Sequence, residues 1–226
     1  MKKTELIQEI REAAIIAIIR GVEREKLPPL LDALAAGGIR FAEITFDQTG
    51  RTSDRETAQS IAELKKHMAG RMHIGAGTVM TVGQADRAMT AGAEFLISPN
   101  VNPEVIRHTV AAGCVSIPGA MTPTEAAVAY ESGADFVKLF PADTLGLSYI
   151  KALMAPLSHI PFLAVGGVND RNLGDFLNAG LVGVGVGSAL TPIEWIANES
   201  YQKITEHANR YCNVVQNHRN CFGKRA

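Results

Sequence analysis

One phrase recurs along this chain: an amphipathic segment, a glycine, then a short apolar run. It reads "LAAGGIRFAEITF", "MTAGAEFLISP", "VAAGCVSIPG", "YESGADFVKLFP" and "LNAGLVGVGVGS". Gly92, Gly113 and Gly133 are spaced by 21 and then 20 residues, and Gly133 to Gly180 spans 47, roughly two units with a longer loop. A glycine in this place ends a helix by adopting the left-handed conformation that other residues resist. Short apolar strands alternating with amphipathic helices predict a parallel sheet. Eight strands are expected near 14–20, 39–46, 71–77, 94–98, 114–117, 135–140, 161–165 and 181–187. Eight βα units in about 200 residues predict an α/β fold, a compact (β/α)8 barrel. A doubly wound open sheet would carry a G-x-G-x-x-G turn after strand 1, and "IIRGVER" has none.

Helices fill the gaps, for example Lys26–Ala36, Asp54–Met68 and Thr122–Glu131. Pro123 and Pro192 stand where first-turn prolines belong. Thr122 with Glu125 three positions on forms a capping-box pattern. The opening "MKKTELIQEIREAA" spaces Leu6, Ile7 and Ile10 helically, with no following apolar run, and so reads as an N-terminal helix and not a signal peptide. One helix is expected through "IEWIANESYQKITEHANRYCNVV", and the last eight or so residues, ending "NCFGKRA", are expected to fray. No linker or low-complexity segment divides residues 1–226, so one domain is expected.

Composition narrows the partners. A net charge of -1 with 20% charged residues offers no global basic field for nucleic acid. The longest apolar stretches are too short to span a membrane. Cys114, Cys212 and Cys221 suit neither a zinc site nor a disulfide framework, which points to a reducing, cytoplasmic setting. The six histidines are scattered without a metal-ligand pair at helical spacing, so no metal is expected.

In a barrel, reactive groups gather at the C-terminal ends of the strands. Lys138 interrupts the apolar run "DFVKLFPAD" of strand 6, and strand alternation puts Phe140 on its face. A buried lysine is costly and responds by lowering its pKa, a cost tolerated where the amine is needed as a nucleophile. Glu43 shares a face of strand 2 with Thr45 and Asp47; Arg20 ends strand 1, Thr78 follows strand 3, and Pro99 follows strand 4. A Lys–Glu ion pair filling the barrel is one reading of Lys138 and Glu43. Schiff-base chemistry is the other: a neutral amine attacks a keto carbon and a carboxylate moves protons. The last two strands end in Gly166, Gly167, Gly187 and Ser188, a pattern that brings backbone N–H groups to a phosphate, or else makes tight turns.

These residues resemble a known group. "FAEITF", "GAGTV", "ISPN", "SIPGAMTPTE", "FVKLFPAD", "VGGV" and "GVGS", in order over about residues 12–215, are similar to the 2-keto-3-deoxy-6-phosphogluconate (KDPG) and 4-hydroxy-2-oxoglutarate (KHG) aldolases, with related 2-keto-3-deoxy-6-phosphogalactonate aldolases sharing the pattern. The resemblance implies a class I aldolase, homotrimeric and free of metal and cofactor, that releases pyruvate and an aldehyde from a 2-keto acid. It implies that Lys138 forms the Schiff base, Glu43 is the general acid/base, Thr78 and Pro99 line the pyruvate end, Phe140 packs beside the imine, and Gly166, Gly167 and Ser188 hold a distal phosphate. One position departs: where gluconate-cleaving members often read "E-[VI]-T-[LM]-R-T", this chain has "EITFDQTG", with Asp47 at the arginine position. Arg20 is then expected to hold the substrate carboxylate, leaving Asp47 to bind a hydroxyl or pair with Arg20.

Two rivals remain at this point. Another phosphate-binding barrel enzyme, an isomerase, epimerase or synthase, would share the glycine loops but has no need of the lysine and glutamate. A non-catalytic barrel that binds a sugar phosphate is the second.

Overall fold

The computed structural model describes residues 2–220 in full and the backbone of 221 and 222, so Cys221 and the end of the expected tail lie outside the described side chains. The strands are β1 (Ile15–Ile19), β2 (Phe41–Thr45), β3 (His73–Gly77), β4 (Phe95–Ile97), β5 (Val115–Ile117 with Gly119–Ala120), β6 (Val137–Leu139), β7 (Phe162–Val165) and β8 (Gly183–Val186). All pairings are parallel. The ladder runs from Val115–Ile117 through β4, β3, β2, β1, β8, β7 and β6 to Gly119–Ala120. Its two ends are halves of one strand, so the barrel closes around Pro118. That residue lacks an N–H to give a ladder, but its carbonyl accepts from Lys138 N.

Around the sheet lie α1 (Lys3–Ala13), α2 (Leu27–Ala36), α3 (Asp54–His67), α4 (Val82–Thr90), α5 (Pro103–Ala111), α6 (Pro123–Glu131), α7 (Ala142–Met154), α8 (Leu173–Asn178), α9 (Ile193–Ala197) and α10 (Tyr201–Phe222). Their caps follow the expected chemistry. Thr122 accepts from the Glu125 amide while Glu125 reaches back, and Ser53 and Glu56 form the same box on α3. Gly92, Gly113, Gly133 and Gly180 all have positive φ just past helix ends. Two expectations need correction. The closing helix is two helices, α9 and α10, broken where Glu199 takes a φ of 52°. Pro192 is the residue before α9, not its first helical position. At the other end of α10, helix runs through Phe222, where the expected fraying tail has already begun.

Two apolar layers result. The outer one packs helices on strands. The inner one fills the barrel with Ile16, Phe41, Phe95, Ile97, Val115, Ile117, Phe136 and Leu163, and α1 plugs its N-terminal end with Leu6 and Ile10. His73 at the start of β3 fastens the plug, its ring bridging Glu9 of α1 and Glu94, while Arg40 also pairs with Glu9. The ion pairs of the N-terminal end lie outside the plug, so the barrel interior is approached from the C-terminal end. Glycine makes the filling fit: a Cβ on Gly75 would stand 2.4–2.5 Å from the Phe95 ring. Gly75→Ala is therefore expected to destabilise the fold by roughly 1–3 kcal/mol through overpacking. Adding Phe95→Leu should recover part of that loss, measured by urea denaturation. A double variant no more stable than Gly75→Ala would locate the cost in the backbone instead.

Candidate active site

Among the described residues, β2 and β6 are the strands that carry a buried carboxylate and a buried amine. Glu43 is the third residue of β2, in register with Ile18 of β1 and Gly75 of β3, and is 1% exposed. Lys138 is the middle residue of β6, in register with Gly119 and Leu163, and is 6% exposed. Gly77 makes room for the carboxylate, since a Cβ there would lie 2.2 Å from Oε1 of Glu43. That glycine stands in the "GAGTV" stretch beside Thr78, and a strand glycine is a signal of close approach that the sequence reading passed over.

Burial is the largest influence on both groups. It pushes Glu43 up to about 7, against the opposing pull of Lys138 and Arg20. It holds the Lys138 amine below its ordinary value, with Arg20 lowering it further and Glu43 acting in the opposite direction. Among the described residues no ion pair joins Lys138 to Glu43, and Oε2 of Glu43 has no hydrogen-bond partner. The reading in which the two simply neutralise each other is thus not met. The lysine amine instead stands 4.6 Å from the centroid of the Phe140 ring.

Around this pair the mouth assembles as follows. Thr45 shares the Glu43 face; its buried hydroxyl is outside ideal hydrogen-bond geometry, but it stands near enough to the Glu43 carboxylate to pull that pKa down slightly. Thr78 follows β3 with a φ of 54°, and its Oγ1 accepts from Nη2 of Arg20 at 3.3 Å. A β-branched residue in that region is strained by about 1–3 kcal/mol and persists only where its surroundings hold it. Pro99 lies against Gly119, where a Cβ would meet the Pro99 carbonyl oxygen at 2.5 Å. Next to Pro99, the buried Oδ1 of Asn100 is also unpartnered, a polar group the sequence reading missed.

Asp47 requires correction. Oδ1 accepts from the Thr49 amide at 2.9 Å and the Thr49 hydroxyl at 2.8 Å; Oδ2 accepts from the Arg51 and Thr52 amides at 2.8 and 3.0 Å and the same hydroxyl at 3.0 Å. These bonds, led by those from Thr49, hold its carboxyl down to about 2. Among the described residues no ion pair joins Asp47 to Arg20, and the Asp47 oxygens are engaged by its own loop.

The glycine loops also differ in detail from expectation. Gly166 and Gly167 have φ of 93° and 74°, which disfavour a side chain at either; a Cβ would also crowd Cδ2 of Phe140 at 3.1 Å from position 166 and clash with Cβ of Asp143 at 2.2 Å from position 167. Gly187 has no such neighbour closer than 3.8 Å. Neither strand leads straight into an α-helix. The Gly187 carbonyl accepts from the Leu190 and Thr191 amides, so a single turn begins there and leaves Ser188 exposed at its start. First-turn amides of this kind have no partner within the turn. Among the described residues no group of three or more His, Cys, Asp or Glu could hold a metal ion.

An amine and a carboxylate, each pushed towards neutrality by burial and gathered at the open end of a parallel barrel, define a barrel enzyme equipped to attack carbonyl compounds. The chain belongs to the KDPG and KHG aldolase family, whose model matches residues 6–207. It is 39% identical over 180 residues to a probable 2-dehydro-3-deoxy-6-phosphogalactonate aldolase of Rhizobium meliloti, covering 79% of this chain and 82% of that one. It is 34% identical to the 2-dehydro-3-deoxy-phosphogluconate aldolase of Treponema pallidum, covering 93% and 97%. Among solved structures, KDPG aldolase from Legionella pneumophila with pyruvate captured as a covalent carbinolamine intermediate has a TM-score of 0.78 and 32% identity, over 87% of this chain and 92% of that one.

The high pKa of Glu43 has a consequence for stability. The folded state holds this proton more tightly than the unfolded chain, so stability is complete below about pH 4.5 and falls as pH rises through about 7. One pKa unit corresponds to about 1.4 kcal/mol, so the loss is on the order of 3 kcal/mol. Glu43→Gln should keep a level urea midpoint across this window and exceed the wild type above pH 7. A parallel fall in both proteins would place the titrating group elsewhere.

Proposed function

We propose that this protein reversibly cleaves a 2-keto-3-deoxy-6-phospho sugar acid to pyruvate and a phosphorylated aldehyde through a Schiff base on Lys138. The observation that carries the reading is the buried, unneutralised Lys138 amine beside Glu43. A lysine whose pKa is lowered by burial has a neutral fraction able to attack C2 of the keto acid. The resulting carbinolamine loses water to give the iminium. As the C3–C4 bond breaks, its electron pair flows to the iminium nitrogen, leaving an enamine and the aldehyde. Glu43, poised near neutrality, accepts the C4 hydroxyl proton and returns a proton to C3. Hydrolysis of the imine frees pyruvate and the lysine.

Arg20 is the cation for the substrate carboxylate, and Thr45, Thr78, Pro99 and Phe140 surround the keto-acid end. Gly166, Gly167, Gly187 and Ser188 are the phosphate end, with the amides of the turn after Gly187 as its open donors. A galactonate configuration is favoured by the phosphogalactonate relative at 39% identity and by the absence of an arginine at position 47. The gluconate compound and 4-hydroxy-2-oxoglutarate are the alternatives. The protein acts in the cytoplasm as a homotrimer. Self-association is supported by the exposed apolar side chains Met121, Val128, Tyr130 and Tyr149 on α6, α7 and the approach to α6.

Incubation with pyruvate and borohydride is expected to add one reduced pyruvate to the wild type, and Lys138→Ala should lose both this adduct and turnover. Trapping retained on another lysine would reassign the nucleophile. Phosphate recognition is expected to favour the 6-phosphate over the free sugar acid in kcat/KM by at least about tenfold, or roughly 1.4 kcal/mol. Equal values would leave the glycine loops as turns.

A further inference from the structure

Asp47 and Gln48 together build a strut at the mouth of the barrel. The four hydrogen-bond groups of Asp47's own loop, two from Thr49 and the amides of Arg51 and Thr52, saturate its carboxylate and fold the chain between β2 and α3 back on itself. A carboxylate offers about four acceptor positions, so nothing remains for a ligand. The neighbouring Gln48 then reaches across to β3, its Nε2 donating to the Thr78 carbonyl at 3.3 Å. Thr78 is the residue held at a φ of 54°, and its hydroxyl oxygen is the hydrogen-bond partner of Arg20 Nη2. Arg20 in turn acts electrostatically on both Glu43 and Lys138. Three strand ends are thus linked in series: the loop after β2 grips Thr78 after β3, and Thr78 orients Arg20 at the end of β1.

We propose that Asp47 and Gln48 are positioning residues, which fix the guanidinium of Arg20 for the substrate carboxylate by holding Thr78 in its left-handed conformation. The proposal rests on the assignment of Arg20 as the carboxylate's cation. An aspartate here does at one remove what a cation at the same position would do directly. It supplies no charge to the substrate; it stiffens the loop that aims the charge. Gln48 is exposed and touches no reacting group, so its loss acts on ligand orientation and not on the lysine.

The test is steady-state kinetics of the condensation direction with varied pyruvate, on Gln48→Ala, Asp47→Asn, Arg20→Ala and the Gln48→Ala/Arg20→Ala double variant. Gln48→Ala should raise the KM for pyruvate roughly three- to tenfold, the scale of one lost neutral hydrogen bond, with kcat within about twofold. Asp47→Asn keeps the shape but replaces one acceptor oxygen with a donor, and should move KM in the same direction. Arg20→Ala should raise KM more, and in that background Gln48→Ala should add nothing, because the residue it positions is gone. Full additivity in the double variant, an unchanged KM in Gln48→Ala and Asp47→Asn, or a fall confined to kcat overturns the strut while leaving Arg20 in its role. An unchanged KM in Arg20→Ala removes both the cation assignment and the strut, and borohydride trapping with Lys138 reports separately whether the aldolase reading stands.

Discussion

Two ionisable side chains share the interior of this barrel without forming an ion pair, and burial outweighs the pull that each exerts on the other. A paired lysine and glutamate would each move towards the charged form; burial without a contact moves both towards the neutral one. Holding them so requires that neither can collapse onto the other. Glu43 is anchored in the middle of a strand with full register to both neighbours, and its carboxylate occupies the space that a side chain on Gly77 would fill. Lys138 is fixed between Gly119 and Leu163, with an aromatic ring beside its amine. The cost of burying them is sustained by the apolar layer beneath.

That layer depends on the plug. A parallel barrel is open at both ends, and water reaching the lumen from below would hydrate Lys138 and Glu43 and restore their ordinary pKa values. Leu6 and Ile10 of α1 close the lower end against the phenylalanines and branched residues of the inner cluster. The ion pairs and His73 that tie α1 down are partly exposed, so they contribute little energy by themselves. Their part is to set the helix in register over the barrel.

The repeat of glycine-terminated helices made the barrel legible, because each such glycine answers a local backbone demand that tertiary contacts do not alter. Lys138 was legible for a similar reason: a charge inside an apolar strand has few explanations. What escaped was set by contacts between distant or irregular segments. Nothing in "EITFDQTG" shows that the Asp47 carboxylate turns inward to its own loop, since an aspartate that binds a ligand and one that binds three amides have the same sequence signature. The requirement for Gly77 depends on Glu43, some 34 residues earlier. The break before α10 rests on one residue, Glu199, adopting a conformation that its side chain does not announce.

The β7 loop shows how reactive centre and remote end are tied together. Phe140 stands over the Lys138 amine on one side and against Gly166 on the other. Any side chain at position 166 would press on that ring at about 3.1 Å, a distance at which the ring must give way. The ring cannot move without altering the packing at the amine. Gly166 therefore does more than permit a turn: its lack of a side chain lets the loop after β7 approach the lysine strand. A ligand that ordered this loop from its far end would also order Phe140, so that binding energy gained away from the reacting carbon would be felt at Lys138.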